Sequence, residues 1–321
     1  MNGNFIQYFC PICKAQSKTW REGLYDDRYG YPGFFSLRGC EACRHQQLDA
    51  VLSREQLRTL YTDFYPRANF DLADFTPHQE VNGFSAWING DRSSAFRWVP
   101  KDVRVLDIGC GFGNTLAYHE ARGCEAWGVE ADENVRRVAE KYGFKVHVGL
   151  FDPSRYDPNS FDYVTLDQVI EHVTDPIETL RGVAHVLKSG GLAILSTPNG
   201  SGWGAKVFGR RWINWHAPYH LHCFSQTSMR LAAEQAGLVM ERSMTITPSA
   251  WLYYQWLHVF TYPEEGNPSI FWAPGGTWSL MKRIGRQALT IAHRGKINHV
   301  ITRVFDALGV GDNRLFFLRK P

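Results

Sequence analysis

The chain has no long apolar run and no strong excess of either charge, and no export leader is expected. Its most apolar stretch, Trp251–Tyr262, falls short of the roughly 20 residues a bilayer requires and carries Gln255 and His258, so no membrane span is expected. A formal charge of +3 over 321 residues is too small to hold nucleic acid by bulk electrostatics. Met1–Gln16 lacks a basic segment followed by an apolar core, and seven cysteines in a chain without such a leader point to a reducing compartment, so the cytoplasm is expected. What is present is ordinary globular composition, 44% hydrophobic and 21% charged, long enough for one large domain plus an appendage.

The most informative stretch is Val103-Arg-Val-Leu-Asp-Ile-Gly-Cys-Gly-Phe-Gly113. Val103–Ile108 is a short β-branched run of the kind buried on both faces of a parallel sheet, and it carries an acid, Asp107, near its end. Glycines at 109, 111 and 113 form a turn in which backbone can take positive φ and a ligand can approach the main chain. Asn114–Arg122 then reads as a helix stopped by Gly123. The dinucleotide pattern G-x-G-x-x-G needs a glycine where Asn114 stands, so the pattern here is G-x-G-x-G after an acid.

Three further strand–helix units follow. Ala126–Glu130 ends in Glu130, one unit beyond Asp107, where a carboxylate can accept both hydroxyls of a ribose. Asp132 caps the predicted helix Glu133–Tyr142, with Val135, Val138, Ala139 and Tyr142 inward, and Lys145–Gly149 is a third strand. The loop Leu150–Asp152 is expected to pass a bound base. Phe161–Leu166 runs into Asp167-Gln-Val-Ile-Glu-His172; Asp175, Pro176 and Glu178 then open a helix ended by Lys188 and Gly190, and Leu192–Ser196 is the fifth strand. Gly237–Thr247 and Asn313–Lys320 supply strands six and seven. Repeated β-then-helix units imply an α/β fold, a doubly wound, mostly parallel seven-stranded sheet whose ligand lies beyond the C-terminal strand ends.

Ahead of this domain, Cys10-Pro-Ile-Cys13 and Cys40-Glu-Ala-Cys43 make two C-x-x-C knuckles. Together they can complete a closed tetrahedral Cys₄ zinc site of structural role; the competing reading is reduced thiols or a redox pair. A module this small needs the ~10–16 kcal/mol that zinc supplies in comparable peptides. Ser53–Tyr61 reads as a helix capped by Ser53, with Leu57 and Leu60 inward. The aromatic Tyr61–Tyr65 that follows either folds over the ligand or staples ribbon to main domain. Pro77–Trp98 reads as a helix before the first main strand. The expected domains are therefore 1–50 (ribbon), 51–99 (helical linker), 100–247 with 313–321 (main domain), and 248–312, an insertion before the last strand. That insertion is crowded with aromatics, then with Lys282, Arg283, Arg286, Arg294 and Lys296, then with an apolar stripe Ile297, Val300, Ile301, Val304, Phe305 and Leu308. It reads as a lid or packing subdomain, a dimer interface, or a peripheral membrane contact; the chain is expected to be a monomer or homodimer.

VLDIGCGFGN, VEAD, SFDYVTLDQVIEHVTDP and LKSGGLAILSTPN resemble the class I S-adenosylmethionine-dependent methyltransferases. His216-Ala-Pro-Tyr-His-Leu-His-Cys-Phe-Ser225 resembles a subgroup that carries an N-terminal zinc ribbon. The resemblance implies that Gly109, Gly111 and Gly113 approach the methionyl part of the cofactor, that Asp107 orients its amino end and that Glu130 holds its ribose. Ala131, Leu150, Phe151 and Asp167 complete the expected cofactor contacts. Ubiquinone-type relatives carry E-x-x-E-H where this chain has Gln168, Glu171 and His172, and an amide is a poorer ligand for a hard cation than a carboxylate. A base for the acceptor's proton is expected among His220, His172 and Glu171, with His216 and His222 as weaker candidates. The implied activity is methyl transfer to a small molecule: a sugar, glycan or natural-product intermediate, soluble or lipid-linked. The alternatives are a zinc-ribbon RNA methyltransferase, which lacks support because no Asn/Asp-Pro-Pro-Tyr motif follows strand four, and a non-catalytic cofactor-binding scaffold.

Overall fold

The structure, a computed structural model, describes residues 8–50, 52–65, 72, 75–273 and 277–321. Residues 1–7 of the expected ribbon, 51, 66–71 and 73–74 of the expected linker, and 274–276 of the insertion lie outside the described residues. In chain order the ribbon holds β1 (Tyr8–Phe9), β2 (Gln16–Leu24), β3 (Phe35–Cys40) and β4 (Gln46–Leu48). There follow α1 (Arg54–Thr59), α2 (Gly83–Asn89), β5 (Arg104–Ile108), α3 (Asn114–Glu120), β6 (Glu125–Glu130), α4 (Val135–Tyr142), β7 (Lys145–Val148), β8 (Phe161–Asp167), α5 (Pro176–Val186) and β9 (Leu187–Pro198). The chain continues through α6 (Trp203–Val207), β10 (His222–Cys223), α7 (Gln226–Gln235), β11 (Val239–Thr245), α8 (Ser249–Phe260), α9 (Leu280–Arg294), α10 (Ile297–Ala307) and β12 (Asn313–Arg319). Contacts divide these into two compact units, residues 1–67, 199–228 and 249–312 in one and residues 68–198, 229–248 and 313–321 in the other.

The second unit is built on a seven-stranded sheet of order β11-β12-β9-β8-β5-β6-β7. The five strands from β9 to β7 run parallel, and β12 pairs antiparallel with both β9 and β11. The parallel strands are buried on both faces, as their continuous apolar runs demand: Val105, Leu106, Val164, Leu166, Ile194 and Leu195 are all fully buried. The α5 entrance forms as its residues dictate, with the Asp175 side chain accepting from the Glu178 N–H and Pro176 at the first helical position.

Four local expectations are corrected in this unit. Residues 77–98 are not one helix: α2 ends at Gly90, which adopts φ +75, and two short 3₁₀ turns follow. Helix α5 ends at Val186 and β9 begins at once, so Lys188 lies in a strand, where its ammonium pairs with Asp162 at 2.7 Å. Asp132 does not cap α4; it accepts from the Asn134 N–H one turn earlier. Tyr142, expected inward, is exposed and stacks on Phe75 at 4.4 Å.

The first unit is a five-stranded antiparallel sheet, β1-β2-β3-β4-β10. Its last strand comes from far along the chain: His222 pairs with Gln47 and Cys223 with Gln46, and the Leu48 N–H donates to the Leu221 carbonyl. Residues 199–228, expected with the main domain, therefore group with the ribbon. They bring Trp212, Trp215 and Tyr219 into one core with Leu24, Leu37 and Leu60. This gives the small ribbon the apolar area it lacks by itself. α1 is capped by Ser53 in a reciprocal box with Gln56, and Leu60 is fully buried. The insertion supplies α8, α9 and α10. Gln255 on α8 is tied to the Ile213 N–H and to the Arg211 carbonyl.

Candidate functional site

In the sheet unit, β5 delivers Asp107 to the point where the backbone turns. The N–H groups of Gly109 and Cys110 both donate to the Val129 carbonyl of β6, which pins the turn to the neighbouring strand. Gly111 has φ +54 and open space where a Cβ would stand, so its main chain faces a cavity. Gly113 has φ +82, and a Cβ there would stand 2.9 Å from the Phe144 ring, so packing as well as conformation requires glycine. The cavity, about 410 Å³, is lined by Asp107, Gly109, Gly111, Asn114 and Asp167, and on its other side by His78, Asp91, Ser94, Phe96 and Arg97.

Three carboxylates thus meet in one small space. Asp107 is buried; its two oxygens accept from the hydroxyls of Thr115 and Thr165. Burial pushes its pKa up to about 7, and the nearby Asp167 and Glu130 push the same way against those two hydrogen bonds. Asp167 is raised by burial too, and accepts from Ser196 and from the Ala95 N–H. A cationic ligand relieves this crowding. Arg97 adds one positive group, its guanidinium lying 4.7 Å from the Phe96 ring centre, and His78 stacks on Phe96 at 4.8 Å with its pKa lowered by burial and by Arg97.

The remaining predicted cofactor residues lie outside this lining. Glu130 ends β6, and its carboxylate accepts from the Gly111 and Asp132 N–H groups, 2.9 Å each. Ala131 is exposed, Leu150 is 81% exposed, and Phe151 stacks beside Tyr156. Gln168 does not offer its amide to a ligand: the NH₂ group is held by Ser196 and Asn313, both at 2.9 Å. Glu171 is fully buried, accepts from Thr197 at 3.0 Å, and burial pushes its pKa up to about 8. His172 is half-buried in the same turn, its N–H bonded to the Val169 carbonyl.

In the ribbon unit the four predicted cysteines converge. Cys10 and Cys43 Sγ are 3.5 Å apart, Cys13 and Cys40 Sγ 3.4 Å, and all four sulfurs lie within 4.8 Å of one another. Four thiolates about 2.3 Å from one zinc occupy a tetrahedron of this size. The two knuckles repeat one geometry: the Lys14 N–H bonds the Cys10 carbonyl, the Arg44 N–H bonds the Cys40 carbonyl, and both residues take left-handed φ, 60 and 58.

His220 is buried, and its Nδ1 donates to the Asn214 carbonyl at 2.8 Å, which leaves Nε2 as the basic nitrogen. His216 stacks on Tyr219 at 4.6 Å, within a group of rings that includes Tyr29, Tyr61 and Tyr65. The Tyr61–Tyr65 segment thus packs on the ribbon unit's own aromatic core. His222 on β10 faces His45, the residue before β4, with its Nδ1 3.2 Å from His45 Nε2. Sequence reading missed Asp91, Ser94 and Arg97, because it ran a helix through them; Gly90, directly before Asp91, was the available sign of a break.

A family model described as a methyltransferase domain matches residues 54–243, more than half the chain. The ubiquinone biosynthesis O-methyltransferase of Ruegeria sp. (strain TM1040) is 35% identical over 164 residues, 46% of this chain and 66% of that protein. The enzyme of the same name from Azoarcus sp. (strain BH72) is 31% identical over 135 residues, 40% and 55% of the two chains. The match thus spans less than two thirds of either relative's length. Among solved structures, the complex of the Haloferax volcanii Trm112 methyltransferase activator with a putative methyltransferase aligns at TM-score 0.46 and 20% identity, covering 74% of this chain and 91% of that one. With a Gly-rich turn after Asp107, an acid-lined cavity at the C-terminal strand ends and a family match across both, the chain belongs to the class I S-adenosylmethionine-dependent methyltransferases.

Proposed function

We propose that this chain methylates a small-molecule acceptor, a sugar, glycan or natural-product intermediate, and that it carries a structural zinc in its ribbon. The observation that carries the reading is the cavity where Asp91, Asp107 and Asp167 stand around the open main chain of Gly111, with Arg97 beside them. The residues fit the cofactor's charges: ionised carboxylates suit its ammonium and sulfonium, and Arg97 suits its carboxylate. Bound there, S-adenosylmethionine supplies an electrophilic methyl group. The protein must hold the acceptor and take its proton. We assign that proton to His220 Nε2, supported by the tautomer that Asn214 enforces. Glu171, protonated at neutral pH by its burial, holds a second exchangeable proton in the sheet unit.

The relatives' printed names support an oxygen acceptor, and the subgroup resemblance supports a sugar or glycan. The four-sulfur cluster supports zinc through its spacing. The test is transfer of a labelled methyl group to nucleotide sugars, lipid-linked glycans and phenolic quinone precursors. Label should enter one of these classes, and His220→Ala should cut turnover by about 10²–10⁴-fold with cofactor affinity unchanged. Labelling of RNA alone would overturn the small-molecule reading.

A further inference from the structure

The amphipathic helices α9 and α10 face the wrong way for a packed core. On α10 the polar Asn298, His299, Thr302 and Arg303 are buried, while Ile297, Val300, Val304 and Leu308 are each at least half exposed. On α9, Leu280, Met281, Ile284 and Ile291 are likewise more than half exposed. The inward faces are accounted for. Thr290 and His293 of α9 meet Tyr253 of α8, the Gly285 backbone lies against Phe260, and Thr302 of α10 meets Ser249. Both apolar rows therefore point away from α8. Of the expected apolar stripe, Ile297, Val300, Val304 and Leu308 face outward, while Ile301 and Phe305 are half-buried and Phe305 stacks on Trp203 at 4.2 Å.

Charge selects the occupant. From Thr277 to Phe305 the chain has no Asp or Glu, and it carries Lys282, Arg283, Arg286, Arg294 and Lys296 in the same segment as the apolar rows. Thr277, Trp278, Arg283, Arg286, Gln287, Thr290 and Arg294 line a cavity of about 610 Å³ on the flank of α9, with the Arg286 guanidinium 4.8 Å from the Trp278 ring centre. Guanidinium groups in such a groove match phosphate oxygens, and a tryptophan suits the boundary between head groups and acyl chains. A second copy docked by two-fold symmetry would set these arginines against each other with no carboxylate between them. We propose that the α9–α10 hairpin is a membrane-surface element: its apolar rows enter the outer part of an anionic bilayer and its arginines hold lipid phosphates.

The test is co-sedimentation of the full chain with vesicles of phosphatidylcholine, with and without phosphatidylglycerol. Wild type should bind the anionic vesicles at low salt, with binding falling as salt rises. The double variant Val300→Glu, Val304→Glu should lose at least about tenfold in binding, and Arg283→Glu should lose the preference for the anionic lipid. All three positions are exposed, so these variants should keep wild-type affinity for S-adenosylhomocysteine by calorimetry, which separates this inference from the proposed activity. Absence of binding at low salt, or equal binding by the double variant, overturns it. A solution dimer that the same substitutions dissolve would instead give the face to a second copy.

Discussion

The Thr165 hydroxyl donates to Asp107 Oδ1 at 2.6 Å, across the pair of parallel strands in which the two residues stand opposite each other. With Thr115 on the other oxygen, the carboxylate is fixed in position while its charge stays unneutralised. Since burial holds its pKa near 7, the unliganded site is half-protonated at neutral pH. A cationic cofactor binds the ionised form, so its affinity should rise with pH through about 7. Asp107→Asn should weaken binding by about 10–100-fold and flatten that dependence, measured by calorimetry between pH 6 and 8.

Stability should respond to pH in the opposite sense. Asp107 and Asp312 are raised from 3.8 to about 7, and Glu171 from 4.5 to about 8. Each binds its proton more tightly folded than unfolded, so its contribution is complete below the unfolded value and is lost as pH rises through the folded one. Buried His119 and His299, lowered to about 3 and about 4, act the other way, but only below about 6.5. The unliganded protein should therefore lose several degrees of Tm between about pH 6.5 and 8. Glu171→Gln should reduce that loss, and calorimetric scans at fixed ionic strength check it.

Metal analysis should find about one zinc per chain. Cys40→Ser should abolish it and unfold the ribbon unit, while a strong chelator should do the same to the wild type over hours. Loss of tryptophan fluorescence structure is the readout, because Trp212 and Trp215 sit in that unit's core. A metal-free protein with unchanged Tm would remove zinc from the account.

Two glycines of one turn should fail differently. Gly113→Ala must place a Cβ 2.9 Å from the Phe144 ring at φ +82, so it should cost about 1–3 kcal/mol of stability. Gly111→Ala meets no atom within 4 Å, so its larger effect should fall on cofactor affinity, through the methyl it projects toward the cavity. Denaturant midpoints beside calorimetric affinities separate the two.

Much of this was legible in the residues. The strand ends at Asp107 and Glu130, the Asp175 cap and the four knuckle cysteines are local signals, each set by a few neighbours. The cavity's second wall was not, because Asp91 and Arg97 depend on a helix ending at Gly90, and a left-handed glycine there looks in sequence like a tolerated interior one. The place of His222 was hidden for another reason. Its strand pairs with β4 across more than 170 residues, a contact no local pattern encodes. Helical periodicity in α10 disclosed two unlike faces without saying which one meets the protein.

Thr245 stands opposite Arg314 in the β11–β12 pairing, so the segment holding α8, α9 and α10 leaves and rejoins the sheet at one hairpin tip. A tip of that kind accepts long excursions at little entropic expense. The length and composition of this segment can therefore change without disturbing the strand order on which the methyl-donor pocket is built.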